Sequence, residues 1–145
     1  MTAPPLIFAM PGNERLSAEL AGDLPYELGH LETRQFPDGE TYLRFATSPN
    51  ARSVAIVCTL AHPNEKILPL VFAAATAREL GASRVGLVSP YLAYMRQDRR
   101  FNPGEAVTSR QVAHLISEAF DWMVTVTRIC IATAPLAKFT QYQRV

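Results

Sequence analysis

The sequence has little cysteine, little net charge and no long apolar run, and each shortage excludes a class of protein. Its 145 residues include only two cysteines, Cys58 and Cys130, which fit neither a disulfide framework nor a zinc site, so a reduced, cytoplasmic protein is expected. The formal net charge of +1 excludes a general polyanion-binding surface, so we expect no nucleic-acid partner. No apolar segment approaches membrane-spanning length and the N-terminus does not resemble a signal peptide, so we expect no membrane association.

Apolar runs that alternate with helical patterns predict one α/β domain. Apolar residues make up 48% of the chain, which is enough to bury a core. Continuous apolar runs at 54–60 and 85–88 are typical of parallel strands covered on both faces. Helical patterns that begin near Asn64 and Thr108 complete βαβ units. The predicted fold is therefore a three-layer α/β/α domain with a mostly parallel sheet and these two strands at its centre.

Turn and capping residues predict the remaining element boundaries. Asn13 and Asn64 are expected to cap helices, and Thr108 with Gln111 matches a capping box. Further strands are predicted at 6–10, 31–36, 41–45 and 122–126. The helix that stops at Gly81 is expected to bury Ile67, Leu68, Val71, Ala74, Ala75 and Leu80, and the last helix to bury Val112, Leu115, Ile116 and Ala119.

Three arginines within five residues follow the predicted strand at 85–88. The segment reads P-Y-L-A-Y-M-R-Q-D-R-R-F-N-P-G-E-A-V-T-S-R and includes Arg96, Arg99 and Arg100. Guanidinium groups form paired, charge-assisted hydrogen bonds with phosphate, and ligands of open α/β sheets bind beyond the carboxyl ends of strands. The segment indicates a polyphosphate site at the sheet edge that also carries His62. From composition alone, a solvated charged loop is the alternative.

This arginine-rich segment resembles the signature loop of the ribose-phosphate diphosphokinases (phosphoribosyl pyrophosphate synthetases). The F-P-D-G-E segment at 36–40 resembles the other N-terminal motif of that family, and the similarity covers about residues 6–126. The resemblance implies a phosphoribosyltransferase-like N-terminal domain at 1–126 of an enzyme that transfers diphosphate from ATP to ribose 5-phosphate for nucleotide biosynthesis. It also implies Mg²⁺ as cofactor and assembly into a homo-oligomer.

The resemblance assigns two groups of residues to an ATP site and assigns no catalytic residue or metal ligand. Arg96 would lie along the adenine and phosphates, and Phe36 would reach the base from a neighbouring subunit. From the residues alone, Phe36 could be a core aromatic and Asp38-Gly39 an ordinary turn. The implied ATP-binding residues are Phe36, Asp38, Glu40, Arg96, Gln97, Asp98 and Arg99.

The resemblance ends after Val126. Relatives of this loop type continue with D-P-H-L-H, whereas residues 127–131 read T-R-I-C-I and place isoleucine, which cannot ligate a metal, at the histidine position. If suitable codons are chosen for this segment, insertion of one guanine nucleotide before them restores a reading frame that encodes D-P-H-L-H. Residues 127–145 are therefore interpreted as a frameshifted tail, and a naturally divergent C-terminus is the alternative.

The expected activity of the chain follows from what the 145 residues omit. They contain neither the family's acidic sugar-phosphate loop of the second domain nor a G-x-x-x-x-G-K-[ST] loop. We therefore expect the chain alone to be inactive. A non-catalytic regulatory or oligomerisation module of the same family is the alternative, and a phosphoribosyltransferase is less expected because that class depends on the missing acidic loop.

Overall fold

A computed structural model describes residues 3–126, and a five-stranded parallel sheet forms the centre of this part of the chain. The strands of the sheet lie in the order β2-β1-β5-β6-β7, and β3 pairs with β4 in a separate antiparallel hairpin. The elements in chain order are β1 (Leu6–Ala9), α1 (Glu14–Asp23), β2 (Glu27–Leu28), β3 (Leu31–Gln35), β4 (Thr41–Phe45), β5 (Ser53–Val57), α2 (Asn64–Glu79), β6 (Arg84–Ser89), α3 (Thr108–Ala119) and β7 (Trp122–Thr125).

The sheet is covered on both faces, which confirms the predicted three-layer architecture. On one face, Leu16 and Leu20 of α1 pack against Ile7, Ala55 and Val57. On the other face, α2, α3 and the hairpin cover a larger core that is built on β1, β5 and β6. The predicted central strands are also confirmed, because β5 lies in the middle of the sheet and β6 lies beside it. None of the helices within residues 3–126 is long and apolar enough to cross a membrane.

Side-chain capping was predicted at three helices and is wrong at all three. Each polar side chain instead bonds a residue of another segment, because these helices begin at a crowded edge of the sheet. Asn13 contacts Thr59, Asn64 contacts Tyr94, and Thr108 contacts Gln97.

The buried face of α2 was predicted only in part, since Ala74 is buried and Ile67 packs against the core as expected. The helix buries Leu70, Ala73, Ala74 and Ala77, whereas Leu68 is 57% exposed and Ala75 is also exposed. Apolar residues surround most of this helix, so their spacing does not decide which side faces the sheet. In α3, Val112 and Ile116 are buried as predicted, but Leu115 is 41% exposed.

The hairpin β3–β4 is anchored to the core only at its base. Leu31, Leu43 and Phe45 pack against the larger core, and the ring of Phe45 meets that of Phe8 edge to face with centroids 4.8 Å apart. The turn at 36–40 extends away from this contact and is exposed.

Candidate functional site

Two neighbouring parallel strands, β5 and β6, end at one edge of the sheet and bring their following loops together. Backbone hydrogen bonds continue past the strand ends, from Cys58 N to Val88 O at 2.9 Å and from Leu60 N to Tyr91 O at 3.0 Å. The loop that carries His62 follows β5, and residues 90–107, here called the arginine loop, follow β6. Both loops therefore leave the same edge, as predicted for the arginines and His62.

The arginine loop has buried ends and an exposed middle. Leu92, Ala93 and Val107 are 5%, 3% and 5% exposed, whereas every side chain from 96 to 104 is exposed. Tyr94 adopts a left-handed backbone conformation (φ +62°), which a bulky residue seldom does, and its hydroxyl bonds the side-chain oxygen of Asn64. Such a long irregular segment with fixed ends is typical of a functional loop.

Glu105 organises the second half of the arginine loop. Its carboxylate accepts hydrogen bonds from the backbone N–H groups of Phe101 at 2.8 Å and Asn102 at 3.0 Å, and from the Asn102 side chain at 2.7 Å. The side-chain bond from Asn102, followed by the two backbone bonds, lowers the pKa of Glu105 below its usual value. Glu105 therefore orients this half of the loop.

Gln97 joins the first half of the arginine loop to α3. Its side-chain oxygen accepts a hydrogen bond from the Thr108 hydroxyl at 3.0 Å, and its backbone oxygen accepts one from Ser109 N at 3.3 Å. The amide nitrogen of Gln97 is then the group that remains suited to donate to a ligand. Gln97 and Arg96 both line a shallow cavity of about 310 Å³ beside the loop.

The other guanidinium groups lie along the exposed part of the loop. Arg100 donates from Nε to the backbone oxygen of Glu105 at 3.0 Å, and the Arg99 guanidinium lies 4.8 Å from the centroid of the Phe101 ring. These contacts hold two of the three guanidiniums against other residues of the loop. The side chain of Asp98 is also exposed.

The F-P-D-G-E segment forms the turn of the hairpin. Phe36 N donates to Glu40 O at 2.7 Å, and the Asp38 carboxylate accepts from Glu40 N at 3.1 Å. Gly39 has φ +91°, a conformation that favours glycine. Phe36 is 39% exposed and the Arg34 guanidinium lies 5.0 Å from its ring centroid, so the alternative that it is a core aromatic is wrong.

The two predicted groups of ATP-binding residues do not line a common cavity in the single chain. Arg96 and Gln97 line the cavity beside the arginine loop, whereas a second cavity lies under the hairpin, and the two have no lining residue in common. Phe36, Asp38 and Glu40 lie at the hairpin turn, outside both cavities. The assignment of all seven residues to one site stays a prediction.

No metal centre is formed by the part of the chain that the structure describes. Within residues 3–126, no three His, Cys, Asp or Glu side chains are grouped so that they could hold an ion. The magnesium ion implied by the resemblance therefore has no such ligand set there. Ile129, Cys130 and the rest of the interpreted frameshifted tail lie outside the described residues, so that interpretation stays a hypothesis.

Comparison with known proteins identifies the family. Residues 5–119, which include the arginine loop and the hairpin turn, match the model of the N-terminal domain of ribose phosphate pyrophosphokinase. The chain belongs to this family. The family inferred from the two sequence motifs is thereby confirmed.

Curated relatives and a solved structure agree with this family match. The chain is 39% identical to the ribose-phosphate pyrophosphokinase of Saccharolobus solfataricus over 104 residues, which are 71% of this chain and 36% of that protein. It is 37% identical to that of Methanobrevibacter smithii over 114 residues, which are 79% of this chain and 38% of that protein. The crystal structure of phosphoribosylpyrophosphate synthetase from Mycobacterium smegmatis shares the fold, with a TM-score of 0.76 and 24% identity over 83% of this chain and 42% of that chain. The chain thus spans less than half the length of these relatives.

Proposed function

We propose that this domain forms the nucleotide-binding part of a cytoplasmic ribose-phosphate pyrophosphokinase, which transfers diphosphate from ATP to ribose 5-phosphate. Transfer of this kind depends on positioned phosphates and charge neutralisation more than on a protein nucleophile. The arginine loop suits that task because its side chains are exposed while its backbone is tethered by Gln97, Tyr94 and Glu105. This combination is the observation that carries the proposal.

The tethering reduces the entropy that the loop loses when it binds a ligand. Arg96 contributes a guanidinium to the adenine and phosphates, and the Gln97 amide nitrogen donates a hydrogen bond. Arg99 adds positive charge next to the phosphates. The Asp98 carboxylate completes the loop's contacts with the nucleotide, and Mg²⁺ accompanies the ATP phosphates.

The hairpin turn completes the pocket from a second copy of the chain in a homo-oligomer. Phe36 is exposed and can stack on a base. The carboxylates of Asp38 and Glu40 lie on the same exposed turn and can accept hydrogen bonds from ribose hydroxyls. The separation of this turn from the cavity beside Arg96 supports a site shared between subunits.

Calorimetric titration of the 145-residue chain with ATP tests the nucleotide site. Arg96→Ala removes a charge-assisted phosphate contact, which should cost roughly 1.5–3 kcal/mol, or about tenfold or more in affinity. Arg15→Ala is the matched control, because Arg15 is an exposed residue of α1 that pairs with Glu19. Equal ATP affinity in the Arg96→Ala chain and its parent would show that the loop is only a solvated surface.

Two further measurements test the shared site and the activity. Phe36→Ala should weaken ATP binding in the oligomer and not in a monomeric preparation, and a parent chain that is always monomeric would rule out the shared pocket. The 145-residue chain alone should form no AMP from ATP, ribose 5-phosphate and magnesium. Turnover clearly above a no-enzyme control, with contaminating full-length enzyme excluded, would contradict this expectation.

A non-catalytic module of the same family is the second candidate. Leu68 and Phe72 lie one turn apart on α2 and are 57% and 45% exposed, which is typical of a surface that contacts another protein. This candidate predicts stable self-association together with no detectable ATP binding. The calorimetric titration therefore separates the two functions.

A further inference from the structure

A cavity of about 290 Å³ lies beneath the hairpin β3–β4, apart from the arginine loop. We call it the hairpin cavity, and its lining includes Met10, Thr33, Gln35, Thr41, Cys58 and Lys66. Its volume is close to the lower end for small-molecule sites, about 300 Å³. The cavity is therefore large enough for a small ligand.

The hairpin cavity lies at the point where the chain connections of the sheet diverge. From β1 the chain passes through α1 to β2 on one side, whereas β5 lies on the other side of β1 and continues through α2 to β6. In open α/β sheets, ligands bind at such a switch point, beyond the carboxyl ends of the strands. Met10 and Cys58, the first residues after β1 and β5, both line the cavity.

A buried asparagine fixes the two loops that border this point. Asn13, which is 5% exposed, donates from its side chain to Met10 O and Pro11 O, both at 3.2 Å. Its side-chain oxygen accepts a hydrogen bond from Thr59 N at 2.8 Å. One side chain therefore links the loop after β1 to the loop after β5, so this wall of the cavity is formed before any ligand arrives.

The inner face of the hairpin changes from apolar to polar where it covers the cavity. Leu31, Leu43 and Phe45 share this face at the base and pack on the core. Thr33, Gln35 and Thr41 continue the same alternating face toward the turn and line the cavity. Two hydroxyls and one amide on a face that could otherwise pack apolar residues provide partners for the hydroxyls of a ligand.

The first turns of α2 supply a further hydrogen-bond acceptor and a cation. Pro69 has no N–H and so cannot donate the helical hydrogen bond to the carbonyl of Glu65, and both residues line the cavity. Lys66 donates from Nζ to Thr59 O at 2.9 Å, which holds the ammonium at the cavity and uses one of its three donors.

Lys66 is the cation at the cavity that can pair with an anion, and Glu65 is the carboxylate of the lining. The Arg34 guanidinium adds no charge there, because it lies over the rings of Phe36 and Tyr42 on the opposite face of the hairpin. Burial raises the pKa of the Cys58 thiol to about 11, an effect that Lys66 only partly offsets, so the thiol adds no negative charge at neutral pH. The positive end of the α2 dipole lies near the same turn and acts in the same direction.

We propose that the hairpin cavity binds a small hydroxylated anion, with one phosphate or carboxylate group, at a site separate from the arginine loop. The hydroxyls of the ligand bond to Thr33, Gln35 and Thr41. Its anionic group pairs with Lys66. This inference is independent of ATP binding, so either site can be present without the other.

Nitrogen-edited NMR titration of the full chain tests this site with three probes: glycerol 3-phosphate, glycerate and glycerol. At least one of the two anions should shift amide signals at 33–41 and 59–66 in a saturable manner, and neutral glycerol should not. The stronger of the two anions identifies the preferred anionic group. Absence of saturable shifts with both anions, shifts confined to the arginine loop, or equal binding of glycerol would each overturn the proposal.

Variants of the cavity lining locate the binding. Lys66→Met should weaken binding of the preferred anion about tenfold, as expected for loss of one charge-assisted hydrogen bond, and Lys66→Arg should restore most of it. Arg15→Met is the charge-matched control on α1 and should bind as the parent does. Thr41→Phe fills the cavity and should abolish binding. It therefore tests whether the anion binds in the hairpin cavity even if Lys66→Met fails to fold. Binding unchanged by Thr41→Phe would overturn the proposal.

Discussion

The hydroxyl of Thr108 lies 3.0 Å from the side-chain oxygen of Gln97 and donates a hydrogen bond to it. This bond connects the first turn of α3 to the middle of the arginine loop, eleven residues earlier in the chain. A side chain that sequence patterns assign to a helix cap therefore acts as a support for the candidate nucleotide site.

We expect Thr108→Val to loosen the arginine loop without unfolding the domain. The bond is exposed, so its loss should cost about 0.5–1 kcal/mol, the lower part of the range for a hydrogen bond. Amide hydrogen exchange of Ser109, whose N–H bonds the Gln97 carbonyl, should become faster. Thr47→Val is the control, since its hydroxyl bonds His30 N at the base of the hairpin. Unchanged exchange at Ser109 would show that the Gln97 contact does not hold the loop.

Glu105→Ala should make the arginine loop more susceptible to trypsin. The carboxylate holds two backbone N–H groups and the Asn102 side chain, and the alanine side chain can hold none of them. Limited digestion should therefore cleave faster after Arg99 and Arg100 than in the parent. Glu118→Ala, an exposed change on α3, serves as the control. Equal cleavage rates in all three chains would contradict the organising role of Glu105.

Asp121 should make the stability of the domain depend on pH. Burial raises its pKa, but this effect is outweighed by hydrogen bonds from Val85 N at 2.8 Å and Arg78 at 3.0 Å and by the charges of Arg78 and Arg84, so the net pKa is lowered from 3.8. A lowered native pKa adds stability that is fully present above the unfolded value and is lost as pH falls through the native value. The domain should therefore lose this contribution progressively below pH 3.8.

Urea unfolding of Asp121→Asn checks this dependence. At pH 7 the variant should be about 1 kcal/mol less stable than the parent, a figure reduced because the Asp121 side chain is 34% exposed. The difference should shrink as pH falls below 3.8. Asp23→Asn, at the exposed end of α1, should show no comparable loss at pH 7. A stability difference that does not change with pH would exclude the linkage.

Gly86→Ala should destabilise the sheet by about 1–3 kcal/mol, the usual cost of overpacking. A Cβ atom at Gly86 would overlap the indole of Trp122, its register partner on β7. Gly22→Ala is the matched control, because a Cβ atom there meets nothing within 4 Å and α1 should be stabilised slightly. Thermal unfolding should move in opposite directions for the two variants. A Gly86→Ala domain as stable as its parent would show that Trp122 moves aside without cost.

The sheet could be predicted from sequence because continuous apolar runs report burial on two faces. The short strand β2 was missed because Glu27 and Leu28 are exposed and join the sheet only through backbone pairing. The caps failed for a different reason. Local spacing identifies the polar residues at helix starts, but their partners here, such as Gln97 for Thr108, come from other loops.

The candidate site was predictable only where one continuous segment carries it. The arginine loop could be recognised from its own residues, and its position followed from the order of the strands. The hairpin cavity could not be recognised from the sequence. Its lining residues Met10, Thr33, Cys58 and Lys66 come from four segments that only the folded chain brings together. The role of Glu105 could not be predicted from the sequence either, since its hydrogen bonds depend on the path of the loop backbone.

The stability of the hairpin depends little on which residues form its turn. Its anchoring contacts, made by Leu31, Leu43 and Phe45, are all at the base, whereas residues 36–40 are exposed and do not pack against the core. Turn sequences of equal length, with glycine kept at position 39 for its positive φ, can therefore be grafted onto β3–β4 with little loss of stability. The domain thus offers a fixed scaffold on which ligand preference can be varied by exchange of a five-residue cassette.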